Sequence, residues 1–225
     1  MGAIRMAMGV AAGVALLASG AAQSTLMDRG GGLIYDTDLN ITWLADADYA
    51  RTQFLASAGA LGDANGRMTW SAANAWAAGL SYGGYTDWRL PSALNADGSG
   101  PCVGVNCTGS EMGHLFYIEL GATANNSILS GTNTANLALF TNVQSNIYWS
   151  GTADAQNSNA AWHFYTSHGW QWILGQHGER YAWAVRPGDV AAAPNNVPEP
   201  SSVMLVALPL AGLGAARRRR SFGAS

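Results

Sequence analysis

The sequence predicts an α+β domain, and three observations predict it. Two stretches with helical spacing, Thr69–Leu80 and Ser110–Leu120, fall in the first part of the body. Four β-prone stretches with apolar alternation crowd the region from Asn146 to Pro187. Turn residues separate those four, so they read as an antiparallel meander.

The elements follow in order. The start, "MGAIRMAMGVAAGVALLASGAAQS", has one charge at Arg5, an apolar run, and small residues at Gly20 and Ala22. That layout predicts a secretory signal peptide over 1–22 with cleavage after Ala22. An uncleaved anchor is the alternative, but the run is short for a membrane-spanning helix. The domain then occupies 23–193. Leu33-Ile34-Tyr35 and Ile41-Thr42-Trp43-Leu44 are β-prone and flank an Asp/Asn turn, which predicts a hairpin. In "TWSAANAWAAGL", Thr69 is placed to cap a helix whose inward face is Ala72, Trp76 and Leu80. "YTDWRLPS" reads as a short strand stopped by Pro91. Ser110 can cap "EMGHLFYIEL", with Leu115, Ile118 and Met112 inward and Gly121 just past the end. Ala122–Asn136 is polar and small and reads as loop. The four strands are "NIYWSGT" (146–152), "AAWHFYT" (160–166), "GWQWIL" (169–174) and "RYAWAVRP" (180–187). Trp170, Trp172 and Leu174 share one face of their strand.

Charge excludes one class of partner. Between 23 and 197 stand six arginines and thirteen acids, a net charge of −7, and the chain has no lysine. Such a surface cannot replace the counterions of a phosphate backbone, so no nucleic-acid partner is expected. Cys102 and Cys107 are the two cysteines; an exported chain meets an oxidising compartment, which predicts a disulfide between them. So short a loop rigidifies its own glycine-rich segment rather than holding the domain together.

The tail is the most specific signal. Val197-Pro198-Glu199-Pro200 precedes an uncharged run, 201–216, and then Arg217, Arg218, Arg219 and Arg220. As a helix the run spans roughly 24 Å, nearly a hydrocarbon layer, and the arginines favour the cytoplasmic side. The arrangement resembles the PEP-CTERM sorting signal of bacterial exported proteins and assigns it to 194–225. The resemblance implies a single transmembrane helix, transient inner-membrane anchoring, and cutting near Pro-Glu-Pro by an exosortase after signal peptidase has acted. The protein would then reach the cell surface or extracellular matrix. A plain single-pass anchor is the alternative.

The body carries a second resemblance. "WLADA", "DWRLPS", a Ser-Glu helix start, "YWSGT" and "YAWAVRP" occur in one order between Gly31 and Asp189. Together they resemble the C-terminal domain of collagen-like adhesins, itself similar in pattern to the C-type-lectin-like fold. The resemblance implies that fold and, for the adhesins, binding of sulfated polysaccharide; the acidic body argues against carrying that ligand over. Formylglycine-generating enzymes share the fold pattern, but their motif around the cysteines is not found here.

Five candidate groups of residues remain. Asp154, Asn157 and Asn159 offer oxygen ligands for calcium in a loop between strands, although no Glu-Pro-Asn or Gln-Pro-Asp signature accompanies them. Asp36, Asp38 and Asn40 open like an EF-hand loop, which then fails at Ile41 and Ala47; turn chemistry explains them. His114, His163, His168 and His177 show no zinc-site spacing and read as surface or half-buried residues. Arg89 and Arg186 read as structural, each paired with an acid such as Asp87 or Glu111. Finally Tyr165, His168, Trp170 and Trp172 cluster about one predicted turn; a ring exposed there can stack on a sugar. The expected function is a non-catalytic polysaccharide-binding or adhesion module that needs no cofactor. The alternatives are a structural matrix component and an extracytoplasmic enzyme of the formylglycine-generating type.

Overall fold

A computed structural model describes residues 25–190. The signal peptide expected over 1–22 and the sorting signal expected over 194–225, with its motif Val197–Pro200, its expected helix 201–216 and the arginines 217–220, lie outside those residues.

The chain starts with β1 (Leu26–Asp28), β2 (Leu33–Asp36) and β3 (Ile41–Leu44). The predicted hairpin is present, with Leu33 opposite Leu44 and Asp36 opposite Ile41. Its turn uses the expected chemistry: Asp36 Oδ1 accepts from the amides of Asp38 (3.1 Å) and Leu39 (3.0 Å).

Helix α1 (Tyr49–Ala56) is an addition to the two predicted helices. Only Ala50 is buried in it, so no apolar stripe marks it in the sequence. A two-residue strand, β4 (Arg67–Met68), leads to α2 (Trp70–Ala78), where Thr69 caps as predicted, its side chain accepting from the Ala72 amide at 3.4 Å. The inward face is a correction: Ala73 and Ala77 are buried, Ala72 is exposed and Trp76 is half-buried. Two alanines let α2 approach Trp149 and Ala161 closely, and Trp76 lies beside that contact with its Nε1 donating to Gln53 Oε1 at 3.0 Å.

"YTDWRLPS" forms two isolated bridges, Tyr85 to Tyr82 and Arg89 to Val185, rather than a strand. Ser110 caps α3 (Glu111–His114), and the helix continues as a π turn, Leu115–Glu119, marked by the Leu120 amide reaching back to the Leu115 carbonyl at 2.9 Å. The wider turn corrects the predicted face. Ile118 is exposed, and Phe116 and Glu119 are buried in its stead. Gly121 ends the helix at φ +63°. The predicted loop 122–136 holds a 3₁₀ turn, Ile128–Ser130, and the start of α4 (Thr134–Leu137).

The remaining strands are β5 (Ile147–Ala153), β6 (Ala160–Tyr165), β7 (Trp170–Gly175), β8 (Arg180–Tyr181) and β9 (Val185–Pro187). They complete two sheets, ordered β1-β2-β3-β9 and β4-β8-β5-β6-β7. The meander holds for β5-β6-β7. The last predicted strand is corrected: "RYAWAVRP" divides into β8, parallel to β5, and β9, which crosses to pair with β3 in the other sheet. Trp183 sits at that crossing, with Trp43, Phe140 and Tyr148 at ring-centroid distances of 5.4, 5.2 and 5.6 Å. Its indole donates to the Leu44 carbonyl at 2.7 Å. The fold is α+β, with few helices and mostly antiparallel sheets. Among the described residues no helix is long and apolar enough to cross a membrane.

Candidate functional site

Residues one apart on a strand point to opposite faces, and residues two apart share a face. In β7 this puts Trp170 and Trp172 together, and pairing with β6 sets Tyr165 opposite Trp170 and His163 opposite Trp172. Pairing with β5 adds Ile147 opposite Tyr165. The result is a groove of about 800 Å³ lined by Ile147, His163, Tyr165, Trp170, Trp172 and Arg180, with His168 and Leu174 at its margins. All four sequence-predicted ligand residues, Tyr165, His168, Trp170 and Trp172, are brought into this one groove.

Trp170 and Trp172 are 47% and 44% exposed, while Trp43, Trp149 and Trp183 are fully buried. The two exposed rings lie 6.0 Å apart at 67° to one another. They form a broad apolar wall. Tyr165 and His168 continue it, with ring centroids 5.4 Å apart. The groove's polar groups sit deeper. His163 is 4% exposed, and its Nδ1 has no hydrogen-bond partner; neither has Arg180 Nε. These two were missed as ligand contacts in the sequence. The signal was present in the alternation of "AAWHFYT", which places His163 and Tyr165 on one face.

The edge strand β7 is held by the disulfide loop. Cys102 and Cys107 are bonded as expected. Gly104, inside that loop, exchanges two backbone hydrogen bonds with Gln171 (2.9 and 2.8 Å). The buried Gln171 side chain donates to the carbonyls of Ala93 (3.1 Å) and Cys102 (2.8 Å). This covers an otherwise open sheet edge. Tyr117 ties in the β6–β7 turn: its hydroxyl accepts from the Asn106 amide (2.9 Å) and donates to the Gly169 carbonyl (2.5 Å). Gly169 has φ +70°, and a Cβ there would lie 2.3 Å from that hydroxyl, so the turn needs glycine. Replacing both cysteines with serine should cost about 2 kcal/mol by loop-closure entropy. A thermal melt with and without reductant checks this, and an unchanged melt would show that the loop is held without the bond.

Burial pushes the His163 imidazole down to about 4, and the nearby positive charge of Arg180 adds to this. The folded state therefore holds His163 neutral, whereas the unfolded imidazole titrates near 6.5. Unfolding takes up a proton between these values. The contribution is complete above pH 6.5 and is lost as pH falls toward 4. Between pH 7 and pH 5 the loss should be about 2 kcal/mol. Urea unfolding at both pH values checks this, because His163→Asn should shrink the difference by that amount.

The other candidate residues are placed elsewhere. Asp154, Asn157 and Asn159 form the β5–β6 connection, at the end of β6 away from Tyr165, roughly 17 Å along the strand. Asp154 Oδ1 accepts from the Gln156 amide (3.3 Å) and Asn157 Oδ1 from the Asn159 amide (3.0 Å), which is turn chemistry. Arg89 and Arg186 are structural as expected. Arg89 makes a two-pronged pair with Glu111 (2.7 and 2.6 Å), and Arg186 makes one with Asp87 (2.8 and 2.9 Å). Arg186 also stacks on Tyr85 at 4.1 Å.

The family model of the Lcl C-terminal domain matches residues 32–186, which take in the whole groove and every strand but β1, stopping within β9. The chain belongs to the Lcl C-terminal domain family. Comparison with curated proteins gives no match, and neither does comparison with solved structures. The matched range includes "DWRLP" and most of "WAVRP", the segments whose arginines pair with Glu111 and Asp87. The Lcl family points to an adhesin-like extracellular module.

Proposed function

We propose that the protein is an exported surface or matrix module of C-type-lectin-like fold that binds a polysaccharide in the Trp170–Trp172 groove. The observation that carries this is the pair of half-exposed tryptophans beside one another, in a domain whose other seven tryptophans are buried or half-buried. A sugar ring offers an apolar face to such a wall and hydroxyls to polar groups beneath it, and His163 and Arg180 provide those groups. The proposed role is contact rather than catalysis: the two cysteines are bonded to each other and so are not free thiols.

Export rests on the chain's ends. Signal peptidase would act after Ala22. An exosortase would act near Val197-Pro198-Glu199-Pro200 while the tail rests in the inner membrane. Calcium at Asp154, Asn157 and Asn159 is not part of this reading, since Asp154 Oδ1 and Asn157 Oδ1 already accept from backbone amides of the turn.

The test is retention of the purified protein on a panel of immobilised neutral and acidic polysaccharides, together with mass spectrometry of the surface fraction. Saturable retention, and a mature C-terminus near residue 200, support the proposal. Absence of retention on every polysaccharide leaves a structural matrix role, and intact ends found in the cytoplasm remove export.

A further inference from the structure

A second cluster lies away from the groove, where the β2–β3 turn meets the π turn. Asp36, His114 and Glu119 each offer one ligand atom there, and these atoms lie within 4.8 Å of one another. His114 Nε2 stands 3.2 Å from Glu119 Oε1. Asp36 is fully buried and Glu119 nearly so, at 3% exposure.

The carboxyl groups are already oriented. Asp36 Oδ1 is occupied by two backbone amides, while its Oδ2 is buried with no hydrogen-bond partner. Glu119 Oε2 accepts from Asn136 Nδ2 at 3.1 Å, leaving Oε1 to face His114 and the Thr25 hydroxyl. Each acid thus has one oxygen held by protein donors outside the cluster, and Asp36 Oδ2 is the oxygen left without a partner, while Glu119 Oε1 accepts from the Thr25 hydroxyl within it. The Trp43 indole N–H faces Asp36 and favours its charged form, but makes no hydrogen bond of regular geometry. The helix geometry points the same way. In a regular α-helix residues five apart are separated by about 140° around the axis. The π turn after His114 is what returns Glu119 to its side, and such turns recur at functional sites.

From this we infer that Asp36, His114 and Glu119 bind a zinc ion that clamps the first sheet to the α3 helix, with the Thr25 hydroxyl alongside. One nitrogen and a few oxygens suit zinc; calcium prefers six or more oxygens. Bonds of about 2.1 Å at tetrahedral angles hold ligand atoms about 3.4 Å apart, close to the 3.2 Å between His114 and Glu119. The competing occupant is a proton, which would make the cluster an imidazolium among three carboxylates, Asp36, Glu119 and Asp38 (3.8 Å), with no dependence on metal.

The test uses the untagged full chain, stripped with chelator and titrated with Zn²⁺. The expected result is one tight equivalent per chain, a melting temperature that rises until that equivalent is bound, and a visible d–d spectrum when Co²⁺ replaces it. His114→Ala and Glu119→Gln should each weaken binding more than tenfold. Should His114→Ala fail to fold, Glu119→Gln and the Co²⁺ spectrum of the unmodified chain still decide. A melting temperature indifferent to zinc and chelator, or binding unchanged in Glu119→Gln, would overturn the inference. The polysaccharide reading stands or falls separately, because these residues take no part in the groove.

Discussion

Replacing Trp170 and Trp172 together with alanine should abolish retention on polysaccharide and leave the fold standing. Each ring exposes nearly half of its surface. Covering about 100 Å² of each by a sugar, at about 25 cal/mol per Å², contributes about 2.5 kcal/mol per ring. Each single change should then weaken binding well over tenfold, and the pair should take it below detection. The stability cost should be limited to the covered half of each ring, since the groove is open and truncation leaves no closed cavity. Circular dichroism and melting of the double variant provide the check. Loss of binding with loss of fold would not support the groove; loss of binding with an unchanged melt would.

The second large effect is on stability. Trp183→Ala should cost about 3–5 kcal/mol. That is a large share of the 5–15 kcal/mol of an ordinary domain. Trp183 is fully buried where the chain passes from β8 to β9, against Trp43, Phe140 and Tyr148. Truncation opens a cavity between the two sheets and leaves the Leu44 carbonyl without its indole donor. Urea unfolding should show a lower midpoint, and a change below 1 kcal/mol would mean that the crossing is not the centre of the core.

Much of this was legible in local chemistry. The Asp36 turn, the Thr69 and Ser110 caps and the Gly121 ending follow from residue types that satisfy or free the backbone at one position. The shared face of Trp170 and Trp172 follows from strand alternation alone. The arginine pairs were legible because so few cations stand among so many acids, and a half-buried cation needs a partner. What failed depended on contacts distant in sequence. Helix α1 buries one alanine and carries no stripe. The π turn shifts the buried face by one residue, which no 3.6-residue pattern can foresee, so Ile118 and Glu119 exchanged places. "RYAWAVRP" alternates like one strand, but its two halves serve different sheets. The cluster at His114 was invisible for the same reason as the π turn: Asp36 lies far away in the chain, and Glu119 reaches His114 only through the widened turn.

The central claim is that polysaccharide meets the protein at the two exposed tryptophans. The nine indole N–H groups give separate signals in a proton–nitrogen spectrum of the ¹⁵N-labelled protein, once assigned by substitution. On titration with a retained polysaccharide, the signals of Trp170 and Trp172 should move and saturate together, while those of the buried Trp43, Trp149 and Trp183 stay fixed. Binding that leaves Trp170 and Trp172 unmoved would contradict the account.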